Sequence, residues 1–265
     1  MNPLLFALIF AAFIAFAVWL IRKNSQIIAE RNQGLESEAR QHGWNFSRNP
    51  SYRQVDLSAD DIRIPRARAD DVEFFIEGRV QDIPWRMWYD TGRRFHTTTD
   101  SSDSNASAVW ACDGVRSREL SVLILPRWQY RIESSHAFGA VAEVAKAVFV
   151  GDTDERDSRQ RFFTRAIELS GTDPGLQDAY AVLVGREAPH DWLDQEIQSL
   201  LLHMPKSVTP AKTSLVASLG SGGLRIDFQR PNVESWPFWD RFGRLGQALA
   251  QRLVRSKVAD PVANP

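Results

Sequence analysis

Residues Leu4 to Ile21 form an unbroken run of 18 apolar residues. No other feature constrains the chain as strongly. As a helix the run spans roughly 27 Å, close to the hydrocarbon thickness of a bilayer. In that form every backbone group is satisfied internally, as lipid requires. Trp19 lies near its end, where aromatic rings favour the interface, and Arg22 and Lys23 follow at once. A cleaved signal peptide has a charged start, a shorter apolar core and a small-x-small cleavage site after it. Here no charged side chain precedes the run, and Ala15-Phe16-Ala17 sits inside it. The pattern therefore favours an anchor over residues 1–23 that stays attached. Arg22, Lys23 and Arg31 all lie on the C-terminal side, so the positive-inside rule places the rest of the chain in the cytoplasm. Ala11, Ala12 and Ala15 permit close contact with another helix without requiring it.

The remaining residues, of 265 in all, are enough for a sizeable core. Charged residues make up 25% and hydrophobic residues 43%, which is ordinary globular usage and speaks against global disorder. The net charge of −1 lacks the basic excess of a typical nucleic-acid binder, so no nucleic-acid partner is expected. The single cysteine, Cys112, excludes an intramolecular disulfide and any cysteine metal cluster.

Periodicity predicts an α+β fold: a transmembrane helix, then a mainly antiparallel sheet with packed helices in two coupled lobes. A juxtamembrane helix covers residues 24–43, with Gly43 as its C′ residue. A first lobe covers 44–150 and a second 151–257. Between them GDTDERDSRQR reads as a charged linker. Residues 258–265 read as a disordered tail. In the first lobe, FFIEGRV and IPWRMWYD predict a hairpin turning at Gln81-Asp82. Trp85, Met87 and Tyr89 share one face of the second strand, and Arg86, Trp88 and Asp90 the other. Ala108–Cys112 and Leu120–Trp128 predict two more strands, the second continuing through Tyr130–Glu133. Phe138 to Phe149 shows helical spacing. In the second lobe, FFTRAIELSG predicts a strand. Thr172 or Asp173 caps a helix that opens at Pro174 and runs to a break at Arg186–Pro189. A further helix carries Trp192 to Leu201. A hairpin turns around GSGG, Gly220–Gly223, and a final helix spans Trp236–Val254.

No catalytic signature emerges. The histidines, His42, His96, His136, His190 and His203, have no second histidine or cysteine three or four residues on. Asp152, Asp154 and Asp157 lack the glycine and the terminal carboxylate of a calcium loop. GSGG lacks the Lys-Ser/Thr of a phosphate loop, and there is no G-x-S-x-G elbow. No cofactor is expected. Cys112 reads as a small buried apolar residue.

Two stretches remain as binding candidates. A strand with Trp85 on one face and Arg86 and Trp88 on the other fits a sheet packed on one side and engaged by a protein partner or the bilayer on the other. Arg93, Arg94 and His96, beside hydroxyl-rich residues up to Ser107, suit contact with an anion or lipid headgroup, although a solvated hairpin connection is the simpler account of them. The arginines of the last helix would suit an anionic surface, but its apolar stripe is what a core helix shows.

The order of features is an N-terminal anchor, a helix ending in His42-Gly43-Trp44-Asn45-Phe46, an aromatic hairpin, SVLILPR, a charged lead-in to Arg161-Phe162-Phe163-Thr164-Arg165-Ala166-Ile167, and Gly171-Thr172-Asp173-Pro174 before a helix and a hairpin. This order resembles a group of uncharacterised single-pass bacterial membrane proteins with a small α+β domain. The resemblance implies that architecture and a bacterial source, and brings no site residues. The reading that follows is a membrane-tethered, non-enzymatic module that binds a protein partner at the cytoplasmic face of an inner membrane. The alternatives are a membrane-bound hydrolase or transferase with scattered site residues, or a headgroup sensor.

Overall fold

Helix α1 runs unbroken from Pro3 to Gln41, so the apolar run and the juxtamembrane helix are one element. The computed structural model describes residues 3–48, 72–90, 107–134, 159, 161–170, 173–186, 188–204, 215–229 and 236–261, with side-chain surroundings in α1 from residue 12. The helix ends as the sequence predicts. Gly43 takes φ +72°, its N–H donates to Arg40 O, and Trp44 N–H donates to Ala39 O at 2.9 Å. That pair of bonds is a Schellman cap, and glycine reaches its left-handed position without a Cβ penalty.

Nine strands then form one antiparallel sheet in the order β1-β2-β3-β4-β10-β9-β6-β8-β7. They are β1 (Asn45–Arg48), β2 (Val72–Val80), β3 (Ile83–Asp90), β4 (Ser107–Cys112), β6 (Val122–Pro126), β7 (Ala166–Glu168), β8 (Tyr180–Gly185), β9 (Leu215–Gly220) and β10 (Gly223–Gln229). The short β5 (Val115–Arg116) pairs apart from it with β11 (Asp260–Pro261). The β2–β3 hairpin turns at Gln81-Asp82, with φ of 48° and 65°, the two left-handed residues of a type I′ turn. An irregular register between Val72 and Phe75 explains why that strand alternates poorly in sequence. β9 and β10 turn around GSGG, where Gly223 takes φ +109°.

Several elements differ from the sequence reading. Tyr130–Glu133 does not extend a strand but lies in helix α2 (Arg127–Ser134), whose buried residues Gln129 and Glu133 are four apart and joined by a 2.6 Å hydrogen bond. Residues 161–163 form a helical turn, and only Ala166–Glu168 is strand. The helix capped by Asp173, α3 (Pro174–Ala179), is six residues long, because Tyr180 turns extended and opens β8. Tyr180-Ala-Val-Leu-Val is rich in β-branched residues and buried on both sides, and burial in a sheet overrides the helical spacing. Helices α4 (Gln195–Leu202) and α5 (Trp236–Arg255) match the reading closely. The two expected lobes share the one sheet, since β10 and β9 insert between β4 and β6. The tail expected from Val258 onward is packed through Pro261, with Val258 and Ala259 buried. Phe138 to Phe149 lies outside the described residues.

Helix α5 covers one face of the sheet. Phe238, Trp239, Phe242, Leu245, Leu249 and Leu253 are buried there. Three of its arginines are engaged locally. Arg241 donates to His203 O, Arg244 to Asp240, and Arg252 to Asp194 and Glu196. The helix therefore takes the core role of the two open to it. The opposite face has its own clusters, one around Phe75, Trp88 and Val109, the other around Leu123, Phe162 and Leu183.

Asp194 caps α4 by accepting from Ile197 N–H at 3.0 Å and pairs with Arg252. Partial burial works to raise its carboxyl. The Arg252 guanidinium and the Ile197 and Glu196 N–H groups outweigh that and hold it below the ordinary carboxylate range. A depressed acid stabilises the fold above its unfolded value and loses that contribution as pH falls through its folded value. Asp194→Asn is therefore expected to lower stability at neutral pH. The gap from wild type should close as pH falls below roughly 4, the unperturbed range. Thermal melts of both proteins across pH 2–7 check this; a gap unchanged with pH would refute it.

Candidate functional site

From Phe13 to Ile21 the large apolar side chains of α1 face outward. Phe13 is 69% exposed and Ile21 67%, with Ile14, Phe16, Val18, Trp19 and Leu20 exposed between them. One helix of the described chain is long and apolar enough to cross a membrane, and none of its most apolar window is buried within the fold. So much apolar surface in water costs about 25 cal/mol per Å², and nothing in the described fold covers it. At the end of the run, Lys23 Nζ stands 5.1 Å from the centre of the Trp19 ring, and Phe16 stacks on Trp19 at 5.8 Å. An aromatic ring beside a cation suits the polar boundary of a bilayer.

The same helix is fixed to the domain. Asn32, Leu35 and Ala39 are buried, and Arg31 pairs with Glu73 at the start of β2. From Ile21 to Leu35 the helix rises roughly 21 Å. Within that interval Ile27 and Ile28 are exposed. Below it, His42 packs against Trp44 (5.4 Å) and Trp236 (5.1 Å), and its Nε2 lies 3.4 Å from Asp240. Trp44 meets Trp85 edge-on at 5.1 Å. An aromatic cluster thus joins the end of α1 to β3 and α5.

The pair Arg31–Glu73 also orients the sheet. Arg48 pairs with Glu36, and Asn45 lies opposite Glu77. The helix thus descends along β2 from its start towards the Gln81-Asp82 turn. Val72 is opposite Asp90, and Asp90 opposite Ser107. The start of β2, the end of β3 and the start of β4 therefore share the end of the sheet nearer the apolar half of α1.

Trp85, Arg86 and Trp88 lie on β3, with Trp85 and Trp88 on opposite faces as alternation requires. Both indoles are inside, at 2% and 1% exposure. This corrects the expectation of one packed and one open face. Trp85 sits in the main core, and Trp88 packs edge-on against Phe75 at 5.8 Å in the second. Arg86 is half-buried, 3.6 Å from Glu77. Arg93, Arg94 and His96 lie outside the described residues.

Cys112 is fully buried, and burial first, then the charge of Asp113, pushes its thiol up to about 12. Iodoacetamide at pH 8 is expected to leave it unmodified in the native protein and to alkylate it fully in denaturant, with intact mass as the readout. Rapid native labelling would refute this. Among the described residues, no group of three or more His, Cys, Asp and Glu could hold a metal ion.

One feature was not signalled by the sequence. A cleft of about 340 Å³ opens at the β7 edge, lined by Ile167, Glu168, Leu169, Ser170, His190, Leu193 and Gln198. Gln198 is buried and fixed, accepting from Asp173 N–H and donating to Leu193 O. Glu168 pairs with Arg127 at 2.5 Å. The cleft exists because β7 ends the sheet, and no local pattern marks a strand as terminal.

The fold and the bare helix define an α+β domain carried on one apolar helix. No family model matches the chain, and no curated protein matches it. The crystal structure of the mycobacterial trehalose monomycolate transport factor A, TtfA, is similar over 88% of this chain and 98% of that one, with 11% identity and a TM-score of 0.42. A likeness of that degree carries no argument about ligand or role.

Proposed function

We propose that the chain is a non-enzymatic module tethered by α1 to a bacterial inner membrane, with its α+β domain in the cytoplasm binding a protein partner. The observation that supports this most is the row of exposed apolar side chains from Phe13 to Ile21 on a helix that runs unbroken into the core. Arg22 and Lys23 just beyond that row support the orientation. Confinement to a surface raises the effective concentration of the domain there, which favours a binding role. The test is cross-linking of the tagged full-length protein in native membranes, with mass spectrometry of what co-purifies. A stoichiometric protein partner is expected. Turnover of a substrate by the purified protein, with no partner recovered, would move the reading to a membrane-bound hydrolase or transferase.

A second reading, headgroup contact through Arg93, Arg94 and His96, is favoured by where the flanking residues lie. Asp90 and Ser107 sit at the sheet end nearer the apolar half of α1. Charge reversal at Arg93 and Arg94 should then reduce photo-cross-linking to anionic lipid in nanodiscs. Equal yields from both proteins would count against it.

A further inference from the structure

Outside α1, Ile167 is the one large apolar side chain exposed among the described residues, at 39%. It lies on β7, the terminal strand of the sheet, and lines the cleft described above. In this part of the ladder, Ile167 is opposite Val184, and Leu169 N–H donates to Val182 O at 2.8 Å. Hydrogen bonding alternates along an antiparallel strand. Residues 167 and 169 therefore face β8, and the N–H and C=O groups of Ala166 and Glu168 turn away from it. Glu168 also lines the cleft.

We propose that this edge takes an extended segment of a protein partner as a tenth, antiparallel strand, with one apolar side chain of that segment lodged between Ile167 and Leu193. The inference rests on the partner-binding reading above and names its surface. The chemistry selects an extended polypeptide. Outward backbone donors and acceptors at alternate positions match only another strand, and alternate side chains of that strand fall on the helix-covered side. There Leu193 and the fixed carboxamide of Gln198 form the far wall. With Glu168 already paired to Arg127, the cleft adds no free carboxylate charge from that residue. An uncharged, β-branched or leucine side chain therefore fits it best.

The experiment uses the full-length protein in nanodiscs and a pool of capped ten-residue peptides alternating Val, Ile or Leu with Thr or Ser. Binding is read by peptide enrichment and by hydrogen exchange over residues 166–170. Peptides are expected to be enriched and to slow exchange at Glu168. Glu168→Pro removes an outward N–H without removing a β7–β8 bond, and should weaken binding about tenfold. Glu168→Ala loses the Arg127 pair just as Glu168→Pro does but keeps the N–H, and should bind clearly tighter than Glu168→Pro. Ile167→Asp should also lose binding, with thermal melts confirming that each variant is folded. No enrichment, or enriched peptides that bind Glu168→Pro as well as Glu168→Ala, would overturn the proposal. Recovery of a stoichiometric partner from native membranes in that case would leave the tethered binding module standing and remove only this surface from it.

Discussion

Gly246→Ala is expected to destabilise the folded domain by about 1–3 kcal/mol, although alanine is the better helix former. In an exposed helix interior the same change would stabilise by roughly 0.5–1 kcal/mol. The sign is decided by what the new methyl group meets. A Cβ at Gly246 would stand 2.7 Å from Trp110 Nε1 and closer still to the ring-fusion carbons. Trp110 is fully buried and stacked on Trp85 at 5.9 Å, so the indole cannot swing aside. Gly243 seats Trp44 in the same way, with a Cβ placed 2.7 Å from the ring. Gly34→Ala supplies the matched control. It lies in the interior of α1, and a Cβ there meets nothing within 4 Å. Urea melts of the three proteins should therefore give shifts of opposite sign for Gly246→Ala and Gly34→Ala. A Gly246→Ala protein as stable as wild type would refute the seating of Trp110 on α5.

Replacing Phe13 and Phe16 together with lysine is expected to release the protein from the membrane fraction. Each lysine near the centre of a span costs about 2.5–3.5 kcal/mol. Two together shift the partition by roughly 10⁴. Both side chains point outward in the fold, at 69% and 56% exposure, so their replacement removes no core contact. Lysine at Ile27 and Ile28 makes the comparison. Those positions lie beyond Arg22 and Lys23, outside the apolar run, and should leave the protein in the pellet. Sodium carbonate extraction followed by immunoblotting separates the outcomes. A wild-type protein extracted by carbonate, or one whose mature mass lacks the apolar run, would refute the anchor.

The readable parts of the chain are those where one local pattern has one physical outcome. Eighteen apolar residues without a charge leave few options for Leu4–Ile21, and the fold leaves the large side chains from Phe13 to Ile21 uncovered. Gly43, Asp173 and the pair Gln81-Asp82 act within a few residues of themselves, through left-handed backbone or a side-chain cap, and each is found where the sequence places it. The final helix declares itself by its apolar stripe. β8 was hidden because an apolar run buried on both faces has no period to distinguish it from a buried helix. α2 was hidden for the opposite reason, since its buried face carries Gln129 and Glu133 rather than apolar residues.

The misplacement of Trp88 has a different origin. Alternation correctly puts Trp85 and Trp88 on opposite faces, but whether the second face is open depends on what packs there. No strand encodes that by itself. The terminal position of β7 is the same kind of fact. It follows from β7 pairing with β8 and no other described strand, while the later β9 pairs with β6 rather than with β7. By itself the sequence determined the long apolar helix, the caps, the tight turns and the amphipathic helix, because short-range sterics and the cost of exposing apolar surface act locally. Only the tertiary structure decided the strand order, the burial of both β3 indoles and the open edge beside Ile167, because those depend on which distant segments find each other.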